Sequence, residues 1–195
     1  MVDIKEQKLL YHLTDINNLP SILEKGLLPR SRLDCFTDIA NAEILDGRKK
    51  LELDKYVPFH FFALNPFDEG VQKSHTKKEF VLVAVRRTLA QVNNWKIIPR
   101  HPLANADIEL LDFDKGMGAI NWNKMNERNY LGDEESRSVC MAECLSPKGI
   151  KPSSLSFFFV KTEQNQQQVR QWLKAVGLEK HVNVNAGMFA STNND

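Results

Sequence analysis

Two hydrophobic periods alternate along this chain. Val169, Trp172, Leu173 and Val176 recur at i, i+3, i+4 and i+7 and predict a helix over 163–176 that Gly177 ends. Residues 80–85 are apolar without a break, the pattern of a central strand covered on both faces. Shorter runs predict strands over 9–14, 56–62, 95–98, 155–160 and 181–185, and short helices over 88–92 and 121–128. Leu19, Ile22 and Leu23 form one helical stripe; Asn17 or Asn18 can cap it, Pro20 is tolerated in its first turn and Gly26 stops it. Residues 65–70 carry turn chemistry, 72–78 and 126–136 are polar loops, 101–118 has few regular signals, and 190–195 is a frayed tail. Interspersed strands and helices, with no internal repeat and no linker, predict one mixed α/β or α+β domain.

The candidate chemistry centres on 137–145. Read as a strand, this stretch sends Arg137, Val139, Met141, Glu143 and Leu145 to one face, and Ser138, Cys140, Ala142 and Cys144 to the other. A carboxylate between Met141 and Leu145 then sits where a cleft is expected. Burying it is costly unless something pairs with it or uses it. A lone glutamate more often sits on an exposed strand edge; the flanking apolar pair moves the balance modestly towards a cleft and makes Glu143 the leading catalytic candidate.

A second helix, started by Thr37 or Asp38, places Ile44, Leu45 and Leu51 on one arc, with Arg48 inside it. An inward guanidinium wants a carboxylate or a phosphate because it cannot shed its charge. A structural salt bridge and a ligand contact both satisfy it, and Gly47 ending the helix would void the geometry. His12 and Thr14 share the face of the first strand that feeds a helix N-terminus, where a polar ligand could be gripped; Thr14 and the asparagines serving only as caps is the competing reading.

Composition narrows the class. In 195 residues, a hydrophobic share of 42% and a charged share of 26% fit one ordinary soluble globular domain. A net charge of +1 carries no polybasic signal, although a local basic groove can sit on a neutral protein. Cys35, Cys140 and Cys144 cannot all pair and, with scattered histidines, show no zinc spacing; a reducing cytoplasm is the natural compartment. Residues 1–7 lack an apolar signal core, and no run is long enough to span a bilayer.

Several pieces, in their order and spacing, resemble the DarT family of bacterial toxin ADP-ribosyltransferases, which use NAD to modify bases in DNA. These are Tyr11 to Leu23, Ile39-Ala40 to Arg48, Tyr56 to Phe61, Asn121-Trp122 with Tyr130, and Met141 to Leu145, within a match from Leu10 to about Phe189. The resemblance implies a single α+β ADP-ribosyltransferase domain over 1–195, with two facing mixed sheets splayed around an NAD cleft and helices outside. It implies that His12, Thr14, Asn18 and Tyr56 contact NAD, that Arg48 is the essential helix arginine and that Glu143 is the catalytic glutamate. The polar loop before Glu143 becomes the substrate-recognition loop, single-stranded DNA the acceptor, and a macrodomain-type antitoxin the partner. The chain departs from the family at Cys140, Cys144 and Ser146. It also carries His60 where a tyrosine is usual, and it lacks an arginine that usually follows that strand.

Cleaving the nicotinamide–ribose bond builds positive charge on the ribose, which a carboxylate such as Glu143 stabilises. A ring nitrogen of a base must lose a proton before it attacks, so a positioned basic group has to assist. A base inside a duplex cannot reach a cleft, so the acceptor is single-stranded or flipped out, with Arg30, Arg32, Lys49 and Lys50 as candidate phosphate contacts. Three rivals stand beside this reading: the same chemistry on RNA or protein, a non-catalytic NAD or nucleic-acid binding module, and a thiol hydrolase using Cys35 or Cys144.

Overall fold

The computed structural model describes residues 3–33, 36–37, 42–103 and 109–191. Among these residues seven strands form: β1 (Leu9–Asp15), β2 (Val57–His60), β3 (Phe80–Arg86), β4 (Lys96–Ile98), β5 (Glu143–Ser146), β6 (Phe157–Val160) and β7 (His181–Val184). They form one sheet in the order β4-β5-β2-β1-β3-β6-β7. Neighbours are antiparallel except β6 and β7, which run parallel because the helix α8 (Glu163–Ala175) crosses between them. Thr162 caps α8 by accepting from the Asn165 amide, and Gly177 follows at φ 69°.

The core is built around β3, as its unbroken apolar run predicts. Val81, Val83 and Val85 pack into one cluster with Leu10, Phe158 and the α8 residues Val169 and Leu173, while Phe80 and Leu82 pack into a second with Leu13 and Phe189. Pro20 lies in the first turn of α1 (Leu19–Lys25), and Gly26 ends that helix at φ 92°. A Cβ at Gly26 would meet the Ile150 carbonyl oxygen at 2.6 Å, so conformation and space both require glycine there.

The two expected sheets are two halves of this one. β1 pairs with β3 along its whole length, from Leu9↔Arg86 to Asp15↔Phe80, but with β2 only at Tyr11↔His60. Beyond that rung β1 and β2 part. His12 fills the gap: its Nδ1–H donates to the Pro58 carbonyl at 2.8 Å, taking the place of a ladder bond. A strand residue directs its N–H and C=O to the same neighbour. Pro58 therefore faces β1 with an acceptor and no donor, and the ladder stops.

Several local expectations fail for identifiable reasons. Residues 134–140 are not strand but the helix α7 (Glu134–Cys140), capped by Asp133, whose carboxylate accepts from the Glu135 and Ser136 amides. Ser136, Val139 and Cys140 are its buried stripe at i, i+3 and i+4, and the strand begins only at Glu143. The face assignment for 137–141 falls with it, and the polar loop ends before this helix. The 65–70 turn is the start of α3 (Pro66–Ser74), because the Asn65 side chain caps the Phe67 and Asp68 amides and Pro66 opens the first turn. Residues 101–118 contain α5 (Phe113–Ala119), obscured by two glycines. Gly116 lets α5 press on β4, since a Cβ there would lie 2.4 Å from the Ile97 Cβ.

The helix bearing Arg48 is α2 (Ala42–Lys50), and Gly47 does not end it; of its two expected starts Thr37 is not helical, while Asp38, like the Ile44 side chain, lies outside what is described. The remaining α-helices among the described residues are α4 (Arg87–Val92) and α6 (Trp122–Glu127). Among the described residues no helix is long and apolar enough to cross a membrane.

Candidate active site

A cleft of about 440 Å³ opens where β1 and β2 part, and all six residues singled out from the sequence line it: His12, Thr14, Asn18, Arg48, Tyr56 and Glu143. Glu143 is the first residue of β5, flanked on its rung by His60 of β2 and Ile98 of β4. Arg48 reaches in from α2, and its Nη1 straddles the Glu143 carboxylate, donating to the two oxygens at 2.7 and 2.9 Å. The pair is largely withdrawn from water, with the side chains 14% and 7% exposed. Arg48 Nη2 is also buried, yet among the described residues it has no hydrogen-bond partner. A bridge evolved only for stability would not strand a donor beside it, because an unmet buried N–H costs about 1–3 kcal/mol.

Asn18 does not cap α1. Its side-chain amide donates to the Thr14 hydroxyl and the Thr37 carbonyl and accepts from the Thr37 amide, so it ties the chain at Thr37 to the mouth of the cleft. Asp15 instead caps the 3-10 turn Ile16–Asn18 that leads into α1, accepting from the Asn17 amide and side chain. The reading of Thr14 and Asn18 as mere helix caps therefore fails. Arg30 also lines the cleft, stacked over Phe36 at 5.0 Å, whereas Arg32, Lys49 and Lys50 are exposed.

Among the cleft residues not singled out from the sequence for chemistry are His60, His101 and Phe67. His60 is buried, with Nδ1 against the Ala142 carbonyl at 3.2 Å and its ring packed on Phe67 with centroids 5.6 Å apart. The signal for His60 was its departure from the family's tyrosine; His101 sits in a stretch without periodicity. From the segment preceding Glu143, only Met141 lines the cleft.

Burial holds the cleft histidines neutral. It lowers His12 to about 4 against the Pro58 bond, which works the other way, and burial also lowers His60 and His101 despite the nearby Glu143 carboxylate. A base whose pKa is lower folded than unfolded favours folding above its unfolded value and loses that contribution as pH falls. Stability should therefore decline from about pH 6.5 towards pH 4, by about 1.4 kcal/mol for each unit separating the two values, as denaturant titrations at pH 7 and pH 5 would measure. A flat profile would mean that His12 is solvated.

The thiol reading has little support. Cys144 faces the core on the side of β5 away from Glu143, and burial pushes its thiol far up; Cys140 is pushed up to about 11 for the same reason. Cys35 lies outside the described residues.

Comparison with known proteins agrees with the geometry. The chain is 26% identical over 167 residues to a DNA ADP-ribosyl transferase–DNA ADP-ribosyl glycohydrolase fusion protein of Thermosipho africanus, a match covering 80% of this chain and 43% of that protein. It thus spans under half the length of this curated relative. Among solved structures it resembles Thermus sp. 2.9 DarT in complex with ADP-ribosylated ssDNA, with a TM-score of 0.83 at 19% identity over 94% of this chain and 97% of that one. The same protein in complex with NAD+ matches with a TM-score of 0.78 at 18% identity, over 94% and 98% of the two chains. The model of the family described as "ssDNA thymidine ADP-ribosyltransferase, DarT" matches residues 11–190, nearly the whole chain, and this protein belongs to the DarT family.

Proposed function

We propose that this chain transfers ADP-ribose from NAD to thymidine in single-stranded DNA. The observation that carries the reading is the Arg48–Glu143 pair at the floor of the cleft, with a second arginine amino group left unmet beside it. The residues fit NAD. The cleft is sized for an extended nucleotide, His12, Thr14 and Asn18 supply neutral polar groups, and Tyr56 also lines it. Glu143 stabilises positive charge on the ribose as nicotinamide departs, help typically worth ~3–4 kcal/mol. Arg48 holds that carboxylate in place and offers Nη2 to the acceptor base.

The Thermus structures, one with NAD+ and one with ADP-ribosylated ssDNA, support both substrates. The Thermosipho relative joins a transferase to a DNA ADP-ribosyl glycohydrolase. This supports a toxin role for the present chain, opposed by a macrodomain-type partner that strips the mark. The setting we propose is the cytoplasm, where its thiols stay reduced. Single-stranded DNA incubated with the protein and labelled NAD should become labelled, while RNA and protein should not. Label on RNA or protein alone would move the reading to that acceptor, and NAD binding without turnover would reduce it to a binding module.

A further inference from the structure

His60 stands beside the reacting pair and has no part in the chemistry above. It is the cross-strand partner of Glu143, so the two side chains leave the same face of the sheet as neighbours. The Ala142 carbonyl can only accept, so the Nδ1 facing it carries the hydrogen and Nε2 carries a lone pair. Among the described residues Nε2 meets no donor, although His60 lines the cleft. Arg48 and His60 thus both line the cleft, the first with a donor, Nη2, and the second with an acceptor, Nε2, that meet no partner among the described residues. A thymine edge presents the complement, a carbonyl oxygen next to a ring N–H. Adenine and cytosine have no ring N–H on their pairing edge.

We infer that His60 is the general base of the transfer: Nε2 takes the ring proton of the thymine while Arg48 Nη2 donates to the adjacent carbonyl. This rests on the function proposed above. The step balances as follows. The ring N–H proton passes to His60 Nε2, and the freed nitrogen pair forms the bond to the anomeric carbon of the ribose. The bond from that carbon to the pyridinium nitrogen breaks, and its electron pair returns to nicotinamide, which leaves neutral. The imidazolium later gives its proton to water. Glu143 on the same rung stabilises that imidazolium; Arg48 from α2, His12 from β1 and His101 after β4 oppose it, so the proton does not stay. Phe67 of α3 fixes the ring plane.

The test compares wild type with His60→Phe, which keeps a ring against Phe67, and His60→Gln, which keeps an acceptor but cannot take a proton. Transfer from NAD to an oligonucleotide with a single thymine is followed from pH 6 upward, and every rate is normalised to folded protein. Both variants should lose about a hundredfold or more in kcat at neutral pH, with little change in KM for NAD. Their rates should then climb about tenfold per pH unit towards the pKa of the thymine itself, as solvent takes over the deprotonation, while wild type stays nearly flat. An oligonucleotide carrying 3-methylthymine, which has no ring proton, should accept nothing.

Variants with the wild-type profile would overturn the assignment. So would a loss equal at every pH, which would mean a packing role. Absence of transfer by wild type to any oligonucleotide would overturn the function itself, and this inference with it.

Discussion

Glu143→Gln should fold and yet lose transfer by a factor of about 10²–10³ or more, measured as labelled ADP-ribose delivered to single-stranded DNA. The substitution keeps the size of the side chain and one oxygen to accept from Arg48 Nη1, but it removes the charge that the proposed chemistry sets against the ribose. Glu143→Ala should also lose transfer, at a larger cost to stability because the guanidinium then has no partner in a site nearly closed to water. Wild-type turnover in Glu143→Gln would remove this carboxylate from the chemistry.

Arg48 yields the second large effect, and the outcome separates two uses of one ion pair. Arg48→Ala strands a buried carboxylate, which costs about 3–5 kcal/mol of stability, and it should abolish transfer. Arg48→Lys returns a positive charge to the carboxylate and should recover much of the stability. It should leave transfer down by about a hundredfold, because a point charge cannot hold Glu143 with one amino group and offer a second elsewhere. Chemical denaturation and transfer rates on the same preparations decide the matter. If Arg48→Lys restored both together, the arginine would be a strut and nothing more.

Much of this was legible in the residues because it depends on local pattern. The unbroken run of β3, the i, i+3, i+4 stripe of α8 and the Gly26 stop are each written within a few turns of chain. Arg48 pointed inward because helical winding puts it among leucines. Glu143 stood out because apolar neighbours flank it.

What escaped depends on contacts between distant segments or on mixed local signals. Val139 and Met141 alternate as a strand would, while Ser136, Val139 and Cys140 satisfy a helix equally well; only packing decides for α7. The proximity of His60 to Glu143 is a matter of register between β2 and β5, which no local pattern fixes. The single rung between β1 and β2 is a fact of the same kind.

That lone rung has a consequence for how the opening persists. A sheet left to itself tends to zip, since each added rung satisfies two more backbone groups. Here the next rung cannot form, because Pro58 brings no hydrogen to share and the imidazole of His12 already occupies its oxygen. The mouth is held open by backbone chemistry at position 58, so the room that the proposed dinucleotide needs belongs to the fold itself.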